Sequence, residues 1–251
     1  MMKKDGLSVH ERWHSLQQYT AARIALGRAG NSIPLKQSLE LKLAHAHARD
    51  AIYSNLNTDK LIGELKIHGL TVIQVCSKAE YREQYLQRPD LGRQLCDTCI
   101  DDLISTAGKY DISIVIADGL SAEALNLNAV PFLQILISLL KSANYTLAPL
   151  VLAEQARVAL ADHIAHHLGA KFSIILIGER PGLSAADSIG AYLTYNPKPG
   201  LTDESRNCVS NIRPQGLSFN IAAQKIFYLV QEAFRLKLSG VNLKDNAGVL
   251  K

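Results

Sequence analysis

From Gly108 onward the chain alternates short β-rich apolar runs with stretches of helical periodicity, and that alternation constrains its fold more than any other feature. Residues 112–117, 145–152, 173–177 and 191–195 read as strands. Between them, 131–141 is a strongly apolar helix, while Val158, Ala161, Ala165 and Leu168 give a second helix its buried face and Gly169 its cap. The last helix, 219–238, buries Ile226, Val230, Ala233 and Phe234 and ends at Gly240. Apolar strands separated by helices are covered on both faces, so the pattern predicts an α/β fold: a Rossmann-like, largely parallel sheet flanked by helices.

The stretch before Gly108 has a different texture. Ser8 with Glu11 makes a capping box, and Val9, Trp13, Leu16 and Thr20 recur at helical spacing, predicting a first helix to about Leu26, where Gly27 and Gly30 stop it. Pro34 starts a second, with Leu35, Leu39, Leu43 and Ala46 along one face as far as Tyr53. One strand is expected at 71–75. A chain of 251 residues is longer than a usual single domain. The expectation is a mainly helical N-terminal domain, 1–107, followed by the α/β domain, 108–251.

The net charge of +4 is mild and no Lys/Arg block forms a stripe, so no nucleic-acid partner is predicted. No run approaches the roughly 20 apolar residues of a membrane span, and Met1 to Leu7 lacks the apolar core of a signal peptide. Four cysteines, Cys76, Cys96, Cys99 and Cys208, are too few and too unevenly placed for a secreted disulfide framework. A cytoplasmic protein with no membrane partner is expected.

Chemistry is most concentrated where the strand at 173–177 opens onto Gly178, Glu179, Arg180, Pro181 and Gly182, because ligands of open α/β sheets bind at the carboxyl ends of strands. Glu179 there is either an acceptor for a ligand's amide or hydroxyl groups or half of a surface ion pair with Arg180. Cys96 and Cys99 have a redox-motif spacing but read as lying inside a helix with Leu95, Ile100 and Leu103 nearby, hence as buried or semi-buried thiols with no second motif to complete a zinc site. His163 and His167 share a helix face without the adjacent Glu or third ligand of a zinc motif, and His45 and His47 point apart. The run from Leu26 to Gly30 reads as helix termination, and Asp118-Gly119 is the one weak candidate for a phosphate-binding turn. No catalytic residue and no metal ligand is assigned.

Six segments in order carry a family resemblance. They are 22–30 (Ala-Arg-Ile-Ala-Leu-Gly-Arg-Ala-Gly), 47–53 (His-Ala-Arg-Asp-Ala-Ile-Tyr), 88–93 (Arg-Pro-Asp-Leu-Gly-Arg), 116–121 (Ile-Ala-Asp-Gly-Leu-Ser), the 173–216 stretch and 239–245 (Ser-Gly-Val-Asn-Leu-Lys-Asp). Together they resemble the small (light) subunit of ethanolamine ammonia-lyase, an adenosylcobalamin-dependent carbon–nitrogen lyase.

The resemblance implies a subunit that helps hold adenosylcobalamin at the interface with a large subunit, for radical deamination of ethanolamine to acetaldehyde and ammonia. It places the substrate pocket in the large subunit. Positions matching Val158, Glu179 and Cys208 contact the cofactor in the family, with Arg206 and Asn207 as assisting neighbours. Val158, expected in the first turn of its helix, would offer an apolar wall, Glu179 acceptors, and Cys208 a small, buried, polarizable contact. Asp162 and His163 are adjacent, so the Asp-x-His-x-x-Gly motif that inserts a histidine under the corrin is absent, and the benzimidazole is expected to stay on cobalt. In relatives the N-terminal segment varies and can carry a signal for packing into a bacterial microcompartment, a second expected location. Two rivals stand beside this reading: a structural scaffold subunit and a self-sufficient α/β nucleotide-binding protein.

Overall fold

The computed structural model describes residues 13, 15–20, 22–67 and 69–246. Six strands, β1 (Val72–Cys76), β2 (Tyr110–Ala117), β3 (Leu150–Glu154), β4 (Ala170–Gly178), β5 (Ile189–Tyr195) and β6 (Arg206–Ile212), form one sheet in the order β1-β3-β2-β4-β5-β6. The helices among the described residues are α1 (Leu35–Tyr53), α2 (Thr58–Ile67), α3 (Arg82–Gln87), α4 (Ile100–Ser105), α5 (Ala122–Ser142), α6 (Leu160–Leu168) and α7 (Phe219–Leu236). The α/β class is as expected. In β2, Ile112, Ile114 and Ile116 join a core with α5 and α7, whereas Val115 and Ala117 join a second core with α4 and α6. Alternate side chains of a strand leave by opposite faces, so this run is apolar throughout because both of its faces are covered.

β1 to β4 pair in parallel, and β5 and β6 then add antiparallel. The reason is chain length: ten residues separate β4 from β5, fewer than a helical crossover needs, so the strand can only double back. The sheet also crosses the boundary drawn near Ala107, since β1 pairs along β3 from Val72↔Leu150 to Cys76↔Glu154.

Three helix expectations change. α5 starts nine residues before Pro131, with Ser121 accepting a 3.4 Å hydrogen bond from the Ala124 N–H at its N-cap. Proline lies inside the helix, where burial of Leu125, Phe132, Leu133, Leu136 and Leu140 outweighs one missing N–H. At 21 residues α5 is long and apolar enough to cross a membrane, yet its apolar face fills the core between sheet and α7.

Of the expected first helix, the described residues show Trp13 as helical and a 3₁₀ turn over Ser15–Tyr19; Ser8, Val9 and Glu11 lie outside the described residues. Trp13, Leu16 and Tyr19 are exposed, and left-handed Ala25 and Gly27 exclude a helix running on to Leu26. α1 does form, but Leu35, Leu39 and Leu43 face solvent and only Ala48 and Ala51 are buried. α7 stops two residues before the expected end, at left-handed Lys237.

The functional edge depends on a close backbone approach. β4 ends at Gly178, where a Cβ would overlap the Ser121 carbonyl and lie 2.6 Å from that of Asp118. Gly178→Ala is therefore expected to cost about 1–3 kcal/mol of unfolding free energy in urea titration. Gly182→Ala, whose nearest neighbour would be 3.8 Å away, should stay within about 0.5 kcal/mol of the parent.

Candidate functional site

Glu179 leaves β4 directly after Gly178 and is half-buried. Its N–H donates to the Ser188 carbonyl at 3.1 Å, which closes the neck of the β4–β5 hairpin. Its carboxylate accepts from the Ser188 hydroxyl at 2.6 Å and from the Asn211 N–H at 3.3 and 3.2 Å. Neutral donors, not Arg180, therefore orient it, and Arg180 is exposed. β5 carries an irregularity between Ile189 and Ala191. At Gly190, within it, a Cβ would sit 3.1 Å from Glu179 Oε1 and 3.4 Å from Tyr192 Cε2, so both side chains close over bare backbone. A bulge beside a functional edge re-aims side chains in this way.

Tyr192 stands opposite Cys208 in the β5–β6 register. Directly opposed residues share a face, and the two side chains hydrogen-bond. Burial first, and then Cys208, pushes the Tyr192 phenol up to about 12. Burial also raises the Cys208 thiol, as does the Glu179 charge, against the lowering effect of Tyr192. Both groups are neutral at pH 7. Cys208 is exposed on the sheet surface, not buried as expected, because β6 is the edge strand. Val158 lies in the turn two residues ahead of α6 rather than in its first turn, half-buried, and it packs against the same core cluster as Tyr192.

Cys208, through its pairing with Tyr192, and Val158 thus lie on the α6 side of the sheet, and Glu179 closes on Tyr192 there. The two assisting residues both have structural partners. Arg206 is buried: it donates to Asp162 of α6, to Asp203 at 2.9 Å and to the Leu201 carbonyl at 3.0 Å. Asn207, on the opposite face of β6, donates to the carbonyls of Gly240 and Leu243 at 3.1 and 2.9 Å and accepts from the Gly240 N–H at 2.7 Å. One pins β6 to α6, and the other pins the chain after α7 to β6.

Asp118-Gly119 is filled rather than open. The Asp118 carboxylate accepts from the N–H groups of Gly119, Gln155 and Ala156 at 2.8, 2.8 and 3.0 Å, and Arg82 approaches it at 3.5 Å. Left-handed Gly119 packs onto the Gly178 backbone, which leaves no room for a phosphate. Burial holds His163 and His167 below the ordinary imidazole range, helped by repulsion from His167 and His166 at the first and from His166 at the second, as a neutral helix face. Cys96 and Cys99 are not inside a helix: Asp97–Cys99 is a 3₁₀ turn ahead of α4. Tyr192, Ser188, Asn211 and Gly190 were missed in the sequence because register and hairpin geometry bring them to Glu179. A glycine inside an apolar strand was the one available signal.

Fold and site define an α/β protein with neutral and acceptor groups gathered where β4 ends and, among the described residues, an exposed apolar helix face. Residues 10–244 match the family model "Ethanolamine ammonia-lyase light chain (EutC)". The ethanolamine ammonia-lyase small subunit of Azotobacter vinelandii is 49% identical over 243 residues, 95% of this chain and 90% of that one. Those of Pseudomonas fluorescens Pf-5 and Pseudomonas aeruginosa LESB58 are 47% and 48% identical, covering 99% and 96% of this chain and 92% and 90% of theirs. The chain belongs to the ethanolamine ammonia-lyase light chain family.

The Arg206–Asp162 pair can be tested as structure. Arg206→Leu leaves a buried carboxylate unpaired and should cost about 3–5 kcal/mol, most of it recovered by adding Asp162→Leu. Burial already raises the Asp162 carboxyl, and losing Arg206 raises it further. A raised carboxyl keeps its proton in the folded state after the unfolded chain has released it, so the single variant's deficit should shrink as pH falls towards the unfolded Asp value. Denaturant unfolding of both variants at several pH values measures this.

Proposed function

We propose that this chain holds adenosylcobalamin against the large subunit of ethanolamine ammonia-lyase, using the face formed by Val158, Glu179 and Cys208. The observation that carries this reading is the convergence of Glu179 and Tyr192 over Gly190, with Cys208 paired to Tyr192, beside the core cluster on which Val158 packs. The residues fit the group. A corrin presents amide side chains around its rim, and Glu179 offers a fixed carboxylate acceptor with neutral donors behind it. Cys208 and Val158 offer soft, apolar contacts at the surface.

When bound, the cofactor supplies the radical chemistry that deaminates ethanolamine to acetaldehyde and ammonia. This chain's own residues bind and orient. Glu179 accepts, Ser188 and Asn211 fix the direction of its carboxylate, and Arg206 and Asn207 hold β6 rigid beneath Cys208. Exposed Leu35, Leu39 and Leu43 along α1 support docking on a large partner, since an apolar helix face of this kind is normally covered.

The test is acetaldehyde release from ethanolamine plus adenosylcobalamin with this chain alone, a large subunit alone, and both. Activity is expected only in the mixture. In that complex Glu179→Ala should weaken cofactor binding by about 1.5–3 kcal/mol, the range for a hydrogen bond to a charged group. Unchanged cofactor affinity in an active complex would overturn the holding role and favour a scaffold. An inactive mixture, with a large subunit that works with a related small subunit, would overturn the whole reading.

A further inference from the structure

We propose that Cys76, Cys96 and Cys99 form a metal site for one thiophilic divalent cation of the zinc class. Cys76 ends β1, and the chain beyond it pairs with the segment before α4: Ser77 and Leu95 form an antiparallel bridge, and the Lys78 N–H donates to the Gln94 carbonyl at 2.9 Å. The Cys96 N–H donates to the Cys76 carbonyl at 3.1 Å, which sets the two residues side by side. The Cys99 N–H then donates to the Cys96 carbonyl at 3.1 Å, and this turn returns the third thiol to the first.

All three Sγ atoms lie within 4.8 Å of one another, and those of Cys76 and Cys99 are 3.8 Å apart. A tetrahedral zinc ion with Zn–S bonds of about 2.3 Å separates its sulfurs by roughly 3.8 Å, so one pair is already at ligand spacing and the third needs to close by no more than about 1 Å. A disulfide needs about 2.05 Å and leaves the third thiol without a role. Two ligands on a Cys-x-x-Cys turn and one on an adjoining strand are the components of a zinc site, and an all-sulfur set disfavours Mg²⁺ and Ca²⁺, which take oxygen.

All three cysteines are half-buried, so a cation can enter, and the fourth coordination position is left to water or an added ligand. Loading exchanges three S–H protons, released to solvent, for one Zn²⁺. The bound ion would cross-link β1 to both ends of the segment carrying Arg82 and Tyr85, and so hold Arg82 against Asp118. The site lies on the β1 edge of the sheet, with β3 and β2 between it and the strand that carries Glu179, so it does not depend on cofactor binding.

The test uses the full-length chain, purified without oxygen under reducing conditions, stripped with chelator and titrated with Co²⁺. One equivalent should bind with sulfur-to-cobalt charge-transfer absorption, and Zn²⁺ should displace it. Cys76→Ser, Cys96→Ser and Cys99→Ser should each weaken binding by more than about tenfold, beyond the low end of what losing an outer-shell partner costs, and Cys208→Ser should not. Wild-type protein with four reactive thiols and no charge-transfer absorption would overturn the proposal, whatever the folding of the variants. So would Cys76→Ser protein that binds Co²⁺ with the wild-type affinity and spectrum.

Discussion

The Asp118 carboxylate holds together the sheet edge on which the rest of the structure depends. It terminates β2, accepts from the amides that follow β3, and faces Arg82, whose guanidinium also donates to the Ile52 carbonyl at 2.7 Å and the Gly119 carbonyl at 2.9 Å. Four parts of the chain, from the end of α1 to the turn after β3, therefore meet at one buried charge. Burial pushes this carboxyl up to about 6, against the lowering effect of the three amides and Arg82, so it stays ionised at neutral pH. A buried carboxylate is tolerable only when so fully partnered, and the partners fix the backbone in return. Tyr85, whose ring has Arg82 and Arg157 over it at 4.8 and 4.2 Å, extends the same cluster through its hydroxyl bond to the Ala156 carbonyl.

This hub explains why the crevice that binds nucleotides in many α/β sheets is closed here and why the polar groups lie further along, at the β4–β5 hairpin. Gly119 and Gly178 bring the turn after β2 against the end of β4, so β4 cannot continue and the chain leaves at Glu179. The antiparallel hairpin that follows carries Tyr192 and Cys208 to the same face. The exit of one parallel strand and the register of two antiparallel ones jointly build the candidate site.

How much of this was legible in the sequence depended on the range of the interactions involved. Local signals were read well: the apolar run that becomes β4, the Ile226/Val230/Ala233 stripe of α7, and Gly169, which caps α6 at φ 74°. Glu179 was legible as a strand-end carboxylate, but its partners Ser188 and Asn211 were not, since they lie 9 and 32 residues away through a hairpin and a strand pairing. The Cys-x-x-Cys pair reads as helical in the sequence because apolar Leu95, Ile100 and Leu103 lie around it. The pairing of residues 77–78 with 94–95 is tertiary and shifts the pair onto a turn. α1 shows the opposite failure: its apolar periodicity was read correctly, but periodicity does not say whether a stripe faces the chain's own core or a partner.

The way Glu179 is held bears on what it can do for a ligand. An ionised carboxylate has about four acceptor positions. Ser188 takes one, and the Asn211 N–H is shared between the two oxygens at lengths near the upper limit for a hydrogen bond. At least one good acceptor position is therefore left, on a group whose negative charge no cation among the described residues neutralises. Had Arg180 paired with it, the charge would have been compensated and the side chain would have swung with a mobile partner. Neutral donors fix the direction and leave the charge in place, which is what a site needs if it is to take hydrogen bonds from amides without reorganising. The raised thiol of Cys208 and phenol of Tyr192 keep the rest of the face uncharged, so Glu179 is the single anionic group among the residues that converge there.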